Sequence, residues 1–119
     1  MKRISLIEKL ATFDEPWTPR IIADLNDTEI KLAKLEGAFE WHSHADTDEL
    51  FYVVSGNMRM RFRDRDEVLG AGDMIVVPKG VEHMPVAEPT AEVMLIEAAG
   101  TVNTGDAGGD RTVANPERI

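Results

Sequence analysis

A chain of 119 residues, 43% of them hydrophobic, fits one soluble domain able to bury roughly 65% of its extended surface. Thirteen Lys and Arg against 22 Asp and Glu give a formal charge of −9, which makes phosphate backbones and anionic lipid surfaces poor partners. With no cysteine present, disulfides, thiol nucleophiles and thiolate ligands are excluded, and any metal must be held by nitrogen and oxygen.

Taken in order, the opening MKRISLIEKL carries Glu8 and Lys9 where a secretory leader would be apolar, and nowhere do about 20 apolar residues run together. A cytoplasmic location is the expectation. In ISLIEKLATF, residues 4–13, Leu6, Leu10 and Phe13 fall at helical spacing with Ile7 beside them, predicting a short amphipathic helix or turn that Pro16 and Pro19 end. From about residue 20 to 98 the pattern becomes short apolar runs: RIIADL, EIKLAKL, EWHSH, ELFYVV, MRMRF, MIVVP, VEHMPV and EVMLIE. Turn-forming residues, among them Ser55-Gly56-Asn57, Asp64 to Asp66 and Glu88-Pro89, separate them. About eight such strands with no helix between them predict an antiparallel all-β sandwich or barrel. MRMRF alternates strictly, as a half-buried strand does, whereas MIVV is nearly all apolar, as expected of a more central one. The segment from Gly100 to Ile119 is glycine-rich. Its composition leaves open a surface loop, a frayed end or an arm lying on a partner subunit.

Two of the chain's three histidines lie two residues apart, in EWHSH. On a strand such residues face the same way, so His42 and His44 project together. Glu49 follows after Ala45 to Asp48, a connection short enough to return the chain alongside them. His83, the third histidine, comes after the turn Pro78-Lys79-Gly80, and barrel closure would carry it to the same interior point. The expected metal set is His42, His44, Glu49 and His83, with Asp46 and Asp48 left in a solvated acidic turn.

These residues resemble the motifs of the cupin superfamily, roughly G-x5-HxH-x3/4-E-x6-G and G-x5-PxG-x2-H-x3-N. Here Gly37, His42, His44, Glu49 and Gly56 fill the first, with four residues before His42 where five are usual. Gly72, Pro78, Gly80 and His83 fill the second, and Ala87 stands where asparagine is usual. The resemblance spans about residues 28–98. It implies a small single-domain jelly-roll barrel of about residues 20–98 with an N-terminal segment 1–19 and a tail 100–119. It further implies one divalent ion (manganese, iron, nickel or zinc), a small-molecule ligand and pairing into a homodimer.

By parity, Glu49 takes Phe51 and Val53 inward, Met58, Met60 and Phe62 form the apolar face of the next strand, and His83 takes Val81 and Pro85 with it. An ion floored by such residues would act in a low-dielectric pocket. Glu40 and Glu97 read as solvated strand ends, each also a candidate proton carrier, while Trp41 and Tyr52 face away. Two functions fit this pattern. One is a metal-dependent enzyme on a small oxygen-rich substrate (dioxygenase, sugar isomerase or lyase), with Glu49 in a dual role as ligand and proton carrier. The other is a module that captures a sugar or carboxylate without turning it over.

Overall fold

The structure is a computed structural model describing residues 1–119. It begins with a one-turn helix, α1 (Leu6–Leu10), capped by the Ser5 side chain, which accepts the Glu8 amide at 3.2 Å. Leu10 and Phe13 bury their side chains with Leu32 against the outside of the sheet. The apolar face expected of this segment is therefore spent on its own domain, apart from the exposed Ile4 and Ile7.

Seven strands follow: β1 (Arg20–Leu25), β2 (Thr28–Ala38), β3 (Glu49–Phe62), β4 (Asp66–Gly70), β5 (Met74–Val77), β6 (His83–Ala98) and β7 (Glu117–Arg118). They hydrogen-bond in the order β4-β3-β6-β2-β1-β7, with β5 also on β3. All pairings are antiparallel except β1 with β7. The β-barrel so formed matches the all-β expectation, and its core holds, among others, Val53, Met58, Met60 and Val93, none with any exposed surface.

Four details differ from the sequence reading. ELFYVV and MRMRF are one strand, β3, because Ser55-Gly56-Asn57 makes a bulge and not a turn. Gly56 has φ +80°, and a Cβ there would collide with the Thr90 carbonyl on β6, so only glycine lets the two backbones cross. VEHMPV and EVMLIE likewise merge into β6: Glu88 and Pro89 fall outside both of its ladders, so the missing proline amide leaves no ladder bond unmade. β4 occupies a segment whose polar start, Asp64 to Asp66, reads as a separator. β5, expected to be central, pairs with β3 alone and exposes Met74 and Val76.

The glycine-rich tail returns along its own barrel. Thr104 is fully buried, β7 pairs with β1, and the Ile119 amide donates to the Ile21 carbonyl at 3.0 Å.

Candidate metal centre

EWHSH is not a regular strand. It is an extended connection between β2 and β3, tied down by scattered bonds. The His42 amide donates to the His83 carbonyl at 3.0 Å and the His83 amide to the His42 carbonyl at 2.9 Å. This isolated pair of bonds sets the two rings 4.3 Å apart. The turn after β5 is fastened to the same arm: the Gly80 amide donates to the His44 carbonyl and the Lys79 amide to Asp48 Oδ1. On the other side the Ser43 amide donates to Asp106 Oδ1 at 2.7 Å, while the Asp106 amide returns a bond to the Ser43 carbonyl.

Glu49 opens β3 and His83 opens β6, both on inward positions of the pleat. His42, His44, Glu49 and His83 are all buried, and each offers one ligand atom within 4.8 Å of the other three. Glu49 Oε1 lies 3.5 Å from His44 Nε2 and 3.3 Å from His83 Nε2. Those three atoms are sealed from solvent and make no hydrogen bond within the protein. Buried polar atoms are rarely left so, and each one unpaired costs about 1–3 kcal/mol. Three facing one another at a single point suit a cation, so the residues present can hold a metal ion.

The ring orientations agree. His42 Nδ1 meets the Glu40 carbonyl and His83 Nδ1 the Val81 carbonyl, each at 2.9 Å. A ring nitrogen facing a carbonyl carries the proton, which leaves Nε2 bare and aimed at the common point. Burial, reinforced by the neighbouring His83, pushes the His42 pKa down to about 4, so the ring is neutral at pH 7.

Beside the cluster, bordered by His42 and Glu49 but not by His44 or His83, the barrel holds a narrow cavity of about 40 Å³, or about 410 Å³ counted out to the solvent at its mouth. His42, Glu49 and Phe51 line it. Val53, Met58, Met60 and Phe62, expected beside them, are instead packed in the core cluster and do not border this space. Pro85 lines it too, but Val81 is exposed in the turn ahead of β6, because the inward alternation starts only at His83. Trp41 lies outside, with the Arg63 guanidinium 3.8 Å above its ring.

The largest correction concerns Glu97. It is 3% exposed, lines the cavity and belongs to a buried polar group at this end of the barrel. Lys31 Nζ donates to its Oε1 at 2.9 Å and stands 3.7 Å from Glu29, which in turn meets Arg118 at 3.3 Å. Burial, then the adjacent Glu49 carboxyl, pushes the Glu97 pKa up to about 9 against the pull of Lys31. Glu49 goes the other way: burial would raise it, but the neighbouring Glu97, His44 and His83 outweigh that and hold it ionised. The signal was present in EVMLIEA, where Val93, Leu95 and Glu97 alternate inward.

Sequence reasoning also missed the aromatic wall. Trp17 stacks on Phe39 with ring centroids 4.6 Å apart, and Phe39 meets the edge of His42 at 5.4 Å. Nothing local signals this, since Trp17 lies on the approach to β1 and reaches the site only through the fold.

The profile of the Cupin domain family matches residues 29–98, and the chain belongs to that family. A cupin-2 domain containing protein from Shewanella frigidimarina is 48% identical, with 80% of this chain and 93% of that one covered and a TM-score of 0.78. Protein NMB1881 from Neisseria meningitidis is 35% identical over 82% of this chain and all of that one, with a TM-score of 0.76. Protein YdbB of Bacillus subtilis is 41% identical over 63 residues, which are 52% of this chain and 56% of YdbB's length.

Proposed function

We propose that His42, His44, Glu49 and His83 hold one divalent ion, and that the protein is an enzyme acting through it on a small oxygen-rich molecule. The observation that carries this reading is the convergence of four buried donors, three of them without any other partner. Three imidazoles and one carboxylate suit a first-row divalent ion, and the cupin family makes manganese, iron, nickel or zinc the candidates. Such an ion, when bound, supplies Lewis-acid polarisation of an oxygen donor or, if redox-active, chemistry with dioxygen.

The chain's own groups do the rest. The Glu40 and Val81 carbonyls fix the imidazoles, and the apolar walls keep water from the polar end. Glu49 serves as ligand and as the nearest carboxylate able to take up a proton. Glu97 Oε2, which has no donor of its own, is the second carboxyl oxygen at that end. The presence of this carboxyl, which is no part of the four-residue set, favours an enzyme over a passive binding module.

Elemental analysis of protein purified without added metal tests the ligand set. The wild type is expected to carry about one equivalent, and the His42→Ala/His44→Ala variant almost none; unchanged content would overturn the reading. Screening the loaded protein with and without oxygen then separates turnover from stoichiometric capture, and capture alone would leave a binding module. We further propose a cytoplasmic homodimer, for which the apolar side chains that Val68, Met74 and Val76 leave in solvent speak. A solution mass of 13.2 kDa would refute it.

A further inference from the structure

Resting on the metal-site reading above, we infer that the cavity selects an uncharged, flat, largely apolar molecule carrying two oxygen donors at one end, and disfavours sugars and sugar acids. The polar end of the cavity is His42, Glu49 and Glu97; along its sides stand Trp17, Leu35, Phe39, Phe51 and Leu95.

Charge comes first. No lysine or arginine lines this space. Lys31, the nearest cation behind the wall, is 1% exposed and has its ammonium committed to Glu97, Glu29 and the Thr101 carbonyl. Arg111 stands 5.7 Å from the centre of Trp17 and 5.6 Å from that of Phe39, in neither case among the lining residues, and donates to the Ala38 carbonyl. A carboxylate remote from the ion would lose its water and meet no counter-charge among the lining residues.

Hydrogen bonding points the same way. The Trp17 indole N–H is already given to the Glu36 carbonyl at 3.0 Å. The Asn103 amide is tied at both ends, donating to the Arg111 carbonyl and accepting the Val113 amide, which leaves a single N–H of its nitrogen for a guest. A ring bearing several hydroxyls would therefore bury most of them unpaired, at a loss of about tenfold or more in affinity for each.

The wall itself is built with some strain. Trp17 sits at φ +61°, a conformation a bulky residue adopts only when held there, and its amide donates to the Lys34 carbonyl at 2.8 Å. That posture lays its ring against Phe39 and presents a flat apolar face beside the ligand set.

Binding is read from Trp17 fluorescence in metal-loaded Trp41→Phe protein, which has no other indole. The probes are catechol and 2,4-pentanedione against D-xylose and D-glucuronate. Catechol and the diketone are expected to bind at least tenfold more tightly than either carbohydrate. Phe39→Ala is expected to erase about tenfold of catechol affinity with metal content unchanged. A carbohydrate binding as tightly as catechol, or catechol affinity indifferent to Phe39→Ala, would overturn this inference while leaving the metal enzyme standing. A wild type found without metal would instead sink the reading on which it rests.

Discussion

Replacing Lys31 with methionine keeps the length of a side chain that is 1% exposed and deletes its ammonium. What is lost is the 2.9 Å bond to Glu97 Oε1 and a longer one, 3.4 Å, to the Thr101 carbonyl, while Glu29, 3.7 Å from the ammonium, keeps Arg118 at 3.3 Å. At pH 7 Glu97 is neutral, since burial and then Glu49 lift its pKa to about 9. The larger penalty of a broken buried ion pair, about 3–5 kcal/mol, therefore does not apply. The appropriate figure is that of a hydrogen bond from a charged donor, about 2 kcal/mol. For 119 residues, with an unfolding entropy of roughly 2.1 cal/mol/K per residue, that lowers the melting temperature by about 8 °C. Circular dichroism melts of metal-saturated protein measure it. Glu97→Met alone leaves Lys31 buried without its closest partner, so the double variant Lys31→Met/Glu97→Met is expected to return to within about 1 kcal/mol of wild type. A drop under about 2 °C for Lys31→Met, or a double variant that merely adds the two losses, would refute the reasoning.

Stripping the metal with a chelator should lower the melting temperature substantially: an ion at about a thousand times its Kd contributes about 4 kcal/mol, and an unmoved melt would count against the site. Gly105→Ala should loosen the tail and weaken metal retention, because φ is +53° and a Cβ would run into the Ser43 carbonyl and crowd the His42 ring. Metal content after dialysis reads the effect. In metal-free protein, stability should fall as pH climbs from about 6.5 to about 9, because nearer pH 5 the His42 pKa, lowered from 6.5 to about 4, pulls the other way. Glu97 keeps its proton to about pH 9 when folded but ionises near its ordinary 4.5 when unfolded, so the native state binds the extra proton across that window. Glu49, shifted downward, acts only below it. Urea titrations across the range measure the slope, and Glu97→Gln should flatten it.

The clustering of His42, His44, Glu49 and His83 was legible because each member is marked by a local rule. His42 and His44 share parity, Glu49 begins an alternating run, and Pro78-Lys79-Gly80 delivers His83 at the head of another. Glu97 and Lys31 obey the same alternation, in Val93-Leu95-Glu97 and Lys31-Ala33-Leu35. They were passed over because charged residues near strand ends are usually solvated. Residue identity could not show that the Met74–Val77 run lies at an edge, since apolar composition does not say which neighbour covers a strand. Nor could it place the tail, whose hold on the barrel combines backbone bonds with the Asp106, Arg111 and Arg118 side chains. Trp17 stayed invisible for the same reason: its partners, Lys34, Glu36 and Phe39, are far along the chain.

All four donors fall inside residues 29–98, while two of the surfaces a guest molecule would touch, Trp17 and Asn103, come from flanks on either side of that span. On the proposed reading the donors are confined to that span, whereas the wall a guest would meet is shared between it and the flanks. Drift at Trp17 could retune what is admitted while leaving all four donors in place, and two barrels with identical donors need share no chemistry at their mouths.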